Sequence, residues 1–232
     1  MKKILLGALL LCAFLEASDF SKAKKILLKQ IYTNDLPKTT FYCDAPYEIV
    51  VYKGKEKAML VQKDIEKHYT PRKPYTKKGD INERTLRVEW EHIMPAHNFG
   101  QHLKCWQEGG RKNCKNDPVF NEMEGDLYNL VPAIGEVNGD RSNYRYDANE
   151  PQSQMYGACN FSVDFKNRRA SIAPSKRGFV ARVYLYMSQK YNIPLSKQER
   201  RLMEAWDKQY PATELEKLRA RKISKYQDVP SL

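Results

Sequence analysis

The sequence predicts an α+β fold: a single, mostly helical domain with a small strand-bearing centre. Two short apolar runs in the middle of the chain, residues 85–90 and 127–131, have strand character. A helix-forming stretch, residues 135–143, follows the second run, and apolar residues recur at helical spacing towards both ends.

Residues 1–17 read as a secretory leader, with 18–232 as the mature domain. Met1, Lys2 and Lys3 supply a positive start, residues 4–15 a short apolar core, and Ala17 and Ser18 small residues at the exit. The apolar run is shorter than the ~20 residues a membrane crossing needs. Removing it takes away two lysines, one glutamate and Cys12, and lowers the net charge from +12 to +11. A surplus of that size attracts polyanions: nucleic acid, acidic membrane surfaces or acidic polysaccharide.

Four cysteines remain, Cys43, Cys105, Cys114 and Cys159, and an even number behind an export signal predicts two disulfides. Cys105 and Cys114 bracket a turn-rich loop and are the expected local pair. Cys43 with Cys159 is then a long-range staple. The absence of closely spaced cysteine pairs speaks against a zinc site.

Residues 19–32 predict a helix, because Phe20, Ala23, Leu27 and Ile31 share one face. Residues 48–52 read either as a short strand or as an apolar helical turn. From 70 to 87, Arg72, Lys73, Lys77, Lys78, Arg84 and Arg87 are interleaved with Tyr75, two prolines and a glycine. This is either a solvated loop or a phosphate-binding lip beside an active site. The strand at 85–90 runs into Glu91 and His92 and is stopped by Pro95, while Pro132 closes the second strand. Near the C-terminus, Phe179, Val183, Tyr186 and Met187 form a helical stripe. Ser196 to Glu199 is a capping box opening a helix through Leu202, Ala205 and Trp206, and residues 213–223 form a last charged helix.

Three of the four histidines, His92, His97 and His102, are five residues apart. On one helix that step turns them about 140° apart, so they do not converge on a metal. His92 stands out because it follows Glu91 at a strand end. Imidazole can accept a proton near neutral pH, and Glu91 is a hard oxygen donor for magnesium or calcium. Neighbouring strand residues point to opposite faces, so both serve one site only where the strand twists or ends. From spacing alone the pair is either a catalytic site or a satisfied structural histidine beside a carboxylate.

Longer segments go further. WEHIMPA at 90–96, CW at 105–106, GGRKNC at 109–114 and DLYNLVPAIGEVNGDRSN at 126–143 resemble the bacterial endonuclease I family. The likeness continues through YGAC at 156–159, RGFVAR at 177–182 and WDKQYP at 206–211, and is weakest over 44–85 and after Ile223. The resemblance implies a ββα-metal (His-Me finger) core and a periplasmic or secreted, non-specific endonuclease. It would be monomeric, act on DNA or also RNA, and have no stable membrane association.

Carried over by position, His92 resembles the family's general base. Glu91 and Asn138 resemble the two protein ligands of one magnesium ion, with calcium and manganese as alternatives. Arg111 resembles a phosphate-contacting arginine. Glu124 stands where a group orienting the histidine, by side chain or carbonyl, is expected. Asn138-Gly139 is also a turn pair, which is compatible with a rigidly held ligand. Asp140, Arg141 and Asn143 read as its support, and Arg141 also counts among the nucleic-acid-binding cations with Arg72, Lys73, Lys77, Lys78 and Arg87. The alternatives are a cationic nucleic-acid-binding protein without catalysis and a zinc hydrolase.

Overall fold

The computed structural model describes residues 19–52, 54–152 and 154–232. The expected leader lies outside the described residues. Among the described residues, four of the eight α-helices open on a side-chain cap that the sequence supplies. Asp19 accepts from Lys22 N to start α1 (Phe20–Ile26), which continues as a wider turn, Leu27–Ile31. Asp117 caps α4 (Pro118–Glu124), with Pro118 at its first turn, where a missing N–H costs nothing. Before α4 come α2 (Ala96–Gly100) and α3 (Lys104–Gly109).

Residues 48–52 resolve as strand: β1 (Tyr47–Tyr52) pairs antiparallel with β2 (Lys55–Leu60). The centre of the molecule is a second antiparallel pair, β3 (Val88–His92) with β4 (Leu130–Ile134), followed directly by α5 (Gly135–Arg141). The strand expected at 85–90 therefore sits three residues later, Glu83–Thr85 being a short 3-10 turn. Pro132 does not end β4 but lies inside it, opposite Trp90. The flanking bonds, Gly135 N to Arg87 O and Ile93 N to Asn129 O, put this pair at a position where β3 asks for no N–H. The outward carbonyl of Pro132 accepts from Phe41 N instead.

A third sheet, unforeseen in the sequence, has β7 (Arg169–Ile172) between β5 (Arg145–Tyr146), which is parallel to it, and β6 (Phe161–Asp164), which is antiparallel. Behind the sheets pack α6 (Pro174–Lys190), α7 (Lys197–Gln209) and α8 (Glu214–Ile223). Ser196 caps α7 as expected, but Met203 and Trp206 form its buried face and Ala205 is exposed. At Gly178 of α6, any side chain would collide with the Tyr210 carbonyl, so glycine sets how closely α6 meets the end of α7.

Arg219 of α8 is buried and satisfies the carbonyls of Leu127 and Leu130 at 2.7 and 2.6 Å, fixing the entrance to β4. Cys43–Cys159 and Cys105–Cys114 are both formed. The whole is one mixed α+β domain. No helix among the described residues is long and apolar enough to cross a membrane.

Candidate active site

The last residue of β3 is His92, where the chain leaves the sheet, so Glu91 and His92 can both reach one cleft. That cleft has a volume of about 1060 Å³, and Glu89, Glu91, His92, Arg111 and Asn138 all line it. Past His92 the backbone is held by Asn129, whose side chain bonds Met94 N and O at 2.7 and 3.0 Å.

His92 is 7% exposed and packs between Phe20 and Phe99. Its Nε2 donates to the main-chain carbonyl of Glu124 at 2.8 Å. A carbonyl only accepts, so Nε2 carries the hydrogen. Burial pushes the imidazole pKa down to about 3, with Arg111 and Arg141 opposing a further positive charge. The ring is therefore neutral, and Nδ1 holds a lone pair. Glu124 also accepts from Arg111 Nε through its carboxylate at 2.6 Å. One residue thus sets the imidazole and orients a half-exposed guanidinium whose outer nitrogens make no hydrogen bond among the described residues.

Glu91 is buried, and burial raises its pKa to about 7. Tyr42 donates to Oε1 at 2.9 Å, and Arg141 Nη1 lies 3.3 Å from the same oxygen. Both contacts use Oε1, so Oε2 has no side-chain partner among the described residues. Asn138 donates its Nδ2 to Glu89 at 3.1 Å, and its amide oxygen has no hydrogen-bond partner among the described residues. Glu89 in turn is clamped by Arg84 and Arg87 at 2.6 and 2.7 Å. These two guanidinium groups hold its carboxyl below the usual range against the opposing effect of burial.

α5 carries Asn138 and is fastened along its length. Glu136 accepts from the Tyr69 hydroxyl and from the main chain at Arg72 and Lys73, and Asp140 accepts from Arg72 and Tyr156. Arg141 donates to the carbonyls of His92 and Ile93 at 3.1 and 2.6 Å. Among the described residues no group of three or more His, Cys, Asp or Glu is placed to hold a metal ion. A hard cation here would rest on the Glu91 carboxylate and Asn138 Oδ1, both oxygen donors, and water would complete its shell.

The sequence profile of the endonuclease I family matches residues 19–229. The chain belongs to the endonuclease I family. It is 45% identical over 216 residues to a periplasmic deoxyribonuclease of Aeromonas hydrophila, covering 91% of this chain and 83% of that protein. An extracellular deoxyribonuclease of the same organism is 46% identical over 217 residues, 92% of this chain and 87% of the relative. An endonuclease-1 of Buchnera aphidicola subsp. Acyrthosiphon pisum is 47% identical over 133 residues, 57% and 53% of the two chains. As an endonuclease I family member the chain is a nuclease, and its two disulfides suit a periplasmic or secreted protein. The family match runs through residues 44–85 and past Ile223, the stretches of weakest resemblance.

The structure brings His92, Glu91, Asn138, Arg111 and Arg87 to one cleft and corrects other expectations. Arg141 is 0% exposed. It balances Glu91 and braces β3, and is not a surface contact for nucleic acid. Arg72 is paired with Asp140, and neither it nor Lys73, Lys77 or Lys78 lines the cleft. Of the expected lip, Arg84 and Arg87 do line the cleft, and the other cations of its walls are Lys24 and Lys25 of α1 and Lys55 and Lys57 of β2. Lys24 and Lys25 were legible only as the polar face of a helix, and β2 gave no sequence signal strong enough to call. Tyr42 was also missed: nothing local to it announces a bond to a carboxylate 49 residues away.

Proposed function

We propose that this endonuclease I family member is a metal-dependent endonuclease that hydrolyses DNA phosphodiester bonds with little regard to sequence, with RNA as an additional candidate substrate. One observation carries the reading: a neutral imidazole, hung by Nε2 from a carbonyl, presents an unprotonated nitrogen in a cationic cleft beside the buried carboxylate of Glu91. The order β3, β4, α5 supports a ββα-metal core, and relatives named deoxyribonuclease support DNA as substrate.

His92 Nδ1 takes a proton from the water that attacks the scissile phosphorus. Arg111, steadied by Glu124, offers its planar fork to the phosphate oxygens. Glu91 and Asn138 would hold one magnesium ion, with calcium or manganese as alternatives. When bound, that ion supplies neutralisation of the charge that builds on the phosphate and leaving oxygens. Arg141 and Tyr42 keep Glu91 in place, and Glu89 engages the Asn138 amide through its nitrogen and not its oxygen. Lysine and arginine side chains on the cleft walls bind backbone phosphates, which carry no sequence information. Every group named comes from one chain, so a monomer suffices.

The test is parallel digestion of plasmid, single-stranded DNA and RNA, with and without magnesium, by the parent and by His92→Ala. Magnesium-dependent cutting of plasmid, lost in the variant, supports the proposal. Tight binding of plasmid without any cutting would favour the alternative, a cationic binding protein.

A further inference from the structure

Next to the catalytic cleft is a second depression of about 340 Å³, walled by β5, the β6–β7 turn, α2 and the start of α7. The two share His97 and Asn143, so one opens into the other at those residues. Three arginines line the smaller groove: Arg145, Arg168 and Arg169. None makes an ion pair with a carboxylate among the described residues, whereas Arg72, Arg84, Arg87, Arg177 and Arg182 all do. Glu199 is the one acid in the wall.

Arg145 and Arg169 lie directly opposite each other in the β5–β7 register. Like charges in that relation oppose folding, and an anion between them relieves the repulsion. Arg168 is fixed at the junction with the cleft. Its Nη2 donates to Asn143 Oδ1 at 3.0 Å, and its guanidinium lies 5.5 Å from the centre of the Tyr144 ring. The turn presenting it is tied by Asp164, which accepts from Asn167 N and Nδ2 at 2.8 and 2.7 Å.

We propose that this groove is a second phosphate-binding subsite, which grips the backbone of the substrate strand on one side of the bond being cut. It rests on the reading of the cleft as a nuclease site and extends it. Three cations without a salt bridge among the described residues, facing a single acid, leave an excess of positive charge that suits a polyanion, and continuity with the cleft makes the occupant the strand already held there. The groove lengthens the segment that the enzyme holds without touching the reacting atoms.

Two variants test this, Arg168→Ala/Arg169→Ala and the single exposed-turn change Arg168→Gln, with thermal melts to verify folding. Substrates are thymidine 5′-(p-nitrophenyl phosphate), which has one diester and no flanking strand, and DNA oligonucleotides of increasing length. Parent KM should fall with length, and the double variant should lose most of that fall, with kcat and turnover of the small ester unchanged. In a His92→Ala background, the slope of log K against log salt for long DNA should flatten by about 1 per arginine removed. Parental KM and salt slope on long DNA in both variants would overturn the subsite while leaving the nuclease reading intact. A parent that neither cuts nor binds DNA would overturn both.

Discussion

The imidazole of His92 hangs from the main-chain carbonyl of Glu124 at 2.8 Å. Because the anchor is backbone, substitutions of the Glu124 side chain leave it in place, and the test must remove the ring itself. His92→Ala should cut plasmid at least about 10²-fold more slowly, the low end of what general base catalysis contributes. DNA affinity, measured by fluorescence anisotropy, should remain within about twofold, since phosphate contacts carry it. Cutting at the parental rate would show that the base lies elsewhere.

Excess chelator should stop cleavage, and magnesium should restore it. Glu91→Gln and Asn138→Ala should both raise the magnesium concentration needed for half-maximal cleavage, because each removes or weakens one oxygen ligand. Undiminished activity in chelator would exclude the ion.

Arg141 and Arg111 are both arginines of the cleft, but they should fail differently. Arg141→Ala leaves the buried Glu91 without its counter-ion and should destabilise the fold by about 3–5 kcal/mol in urea titration. Arg111→Ala alters a half-exposed side chain, so stability should stay within about 0.5 kcal/mol while kcat falls. Equal losses of stability in the two variants would contradict the division of roles.

Acid should weaken the fold partly through His92. Its pKa is about 3 in the folded protein and near 6.5 in an unfolded chain, so between these values only the unfolded state takes up the proton. The contribution of neutral His92 is complete above about pH 6.5 and is lost progressively as pH falls towards 3. In chelator, Tm should fall more steeply between about pH 7 and pH 4 for the parent than for His92→Ala. Parallel slopes would mean that the ring is not held neutral by burial.

Cys43–Cys159 closes a separation of 116 residues and Cys105–Cys114 one of 9. Longer loops lose more unfolded-state freedom, so Cys43→Ala/Cys159→Ala should cost more of the ~2–5 kcal/mol range than Cys105→Ala/Cys114→Ala. Scanning calorimetry of both variants gives the order directly. Cys43 adjoins Tyr42, so loss of the long bridge should also raise the magnesium requirement.

Local chemistry made parts of this fold legible. The capping box at Ser196 and the apolar face of Phe20, Ala23, Leu27 and Ile31 mark helices that the structure contains, while the caps at Asp19 and Thr213 came only with the structure. By contrast, β5 is two residues long and β2 opens with Lys55, Glu56 and Lys57, so neither carries a pattern that a short window can distinguish from loop. Pro132 read as a stop because sequence shows its missing N–H but not which side of the strand that N–H would have faced.

The amino-acid order by itself determined the family, the helices at both ends, the disulfide partners and the candidacy of His92, Glu91, Asn138 and Arg111. These rest on contiguous runs and short spacings, which a linear reading preserves, except Cys43–Cys159, which follows by elimination once Cys105 and Cys114 are paired. Only the tertiary structure decided which cations face the cleft, that Arg141 is buried under Glu91, and that Tyr42 steadies that carboxylate. Charge and burial depend on neighbours brought together across tens of residues, and a cation has the same letter whether it meets water, a carboxylate or a phosphate.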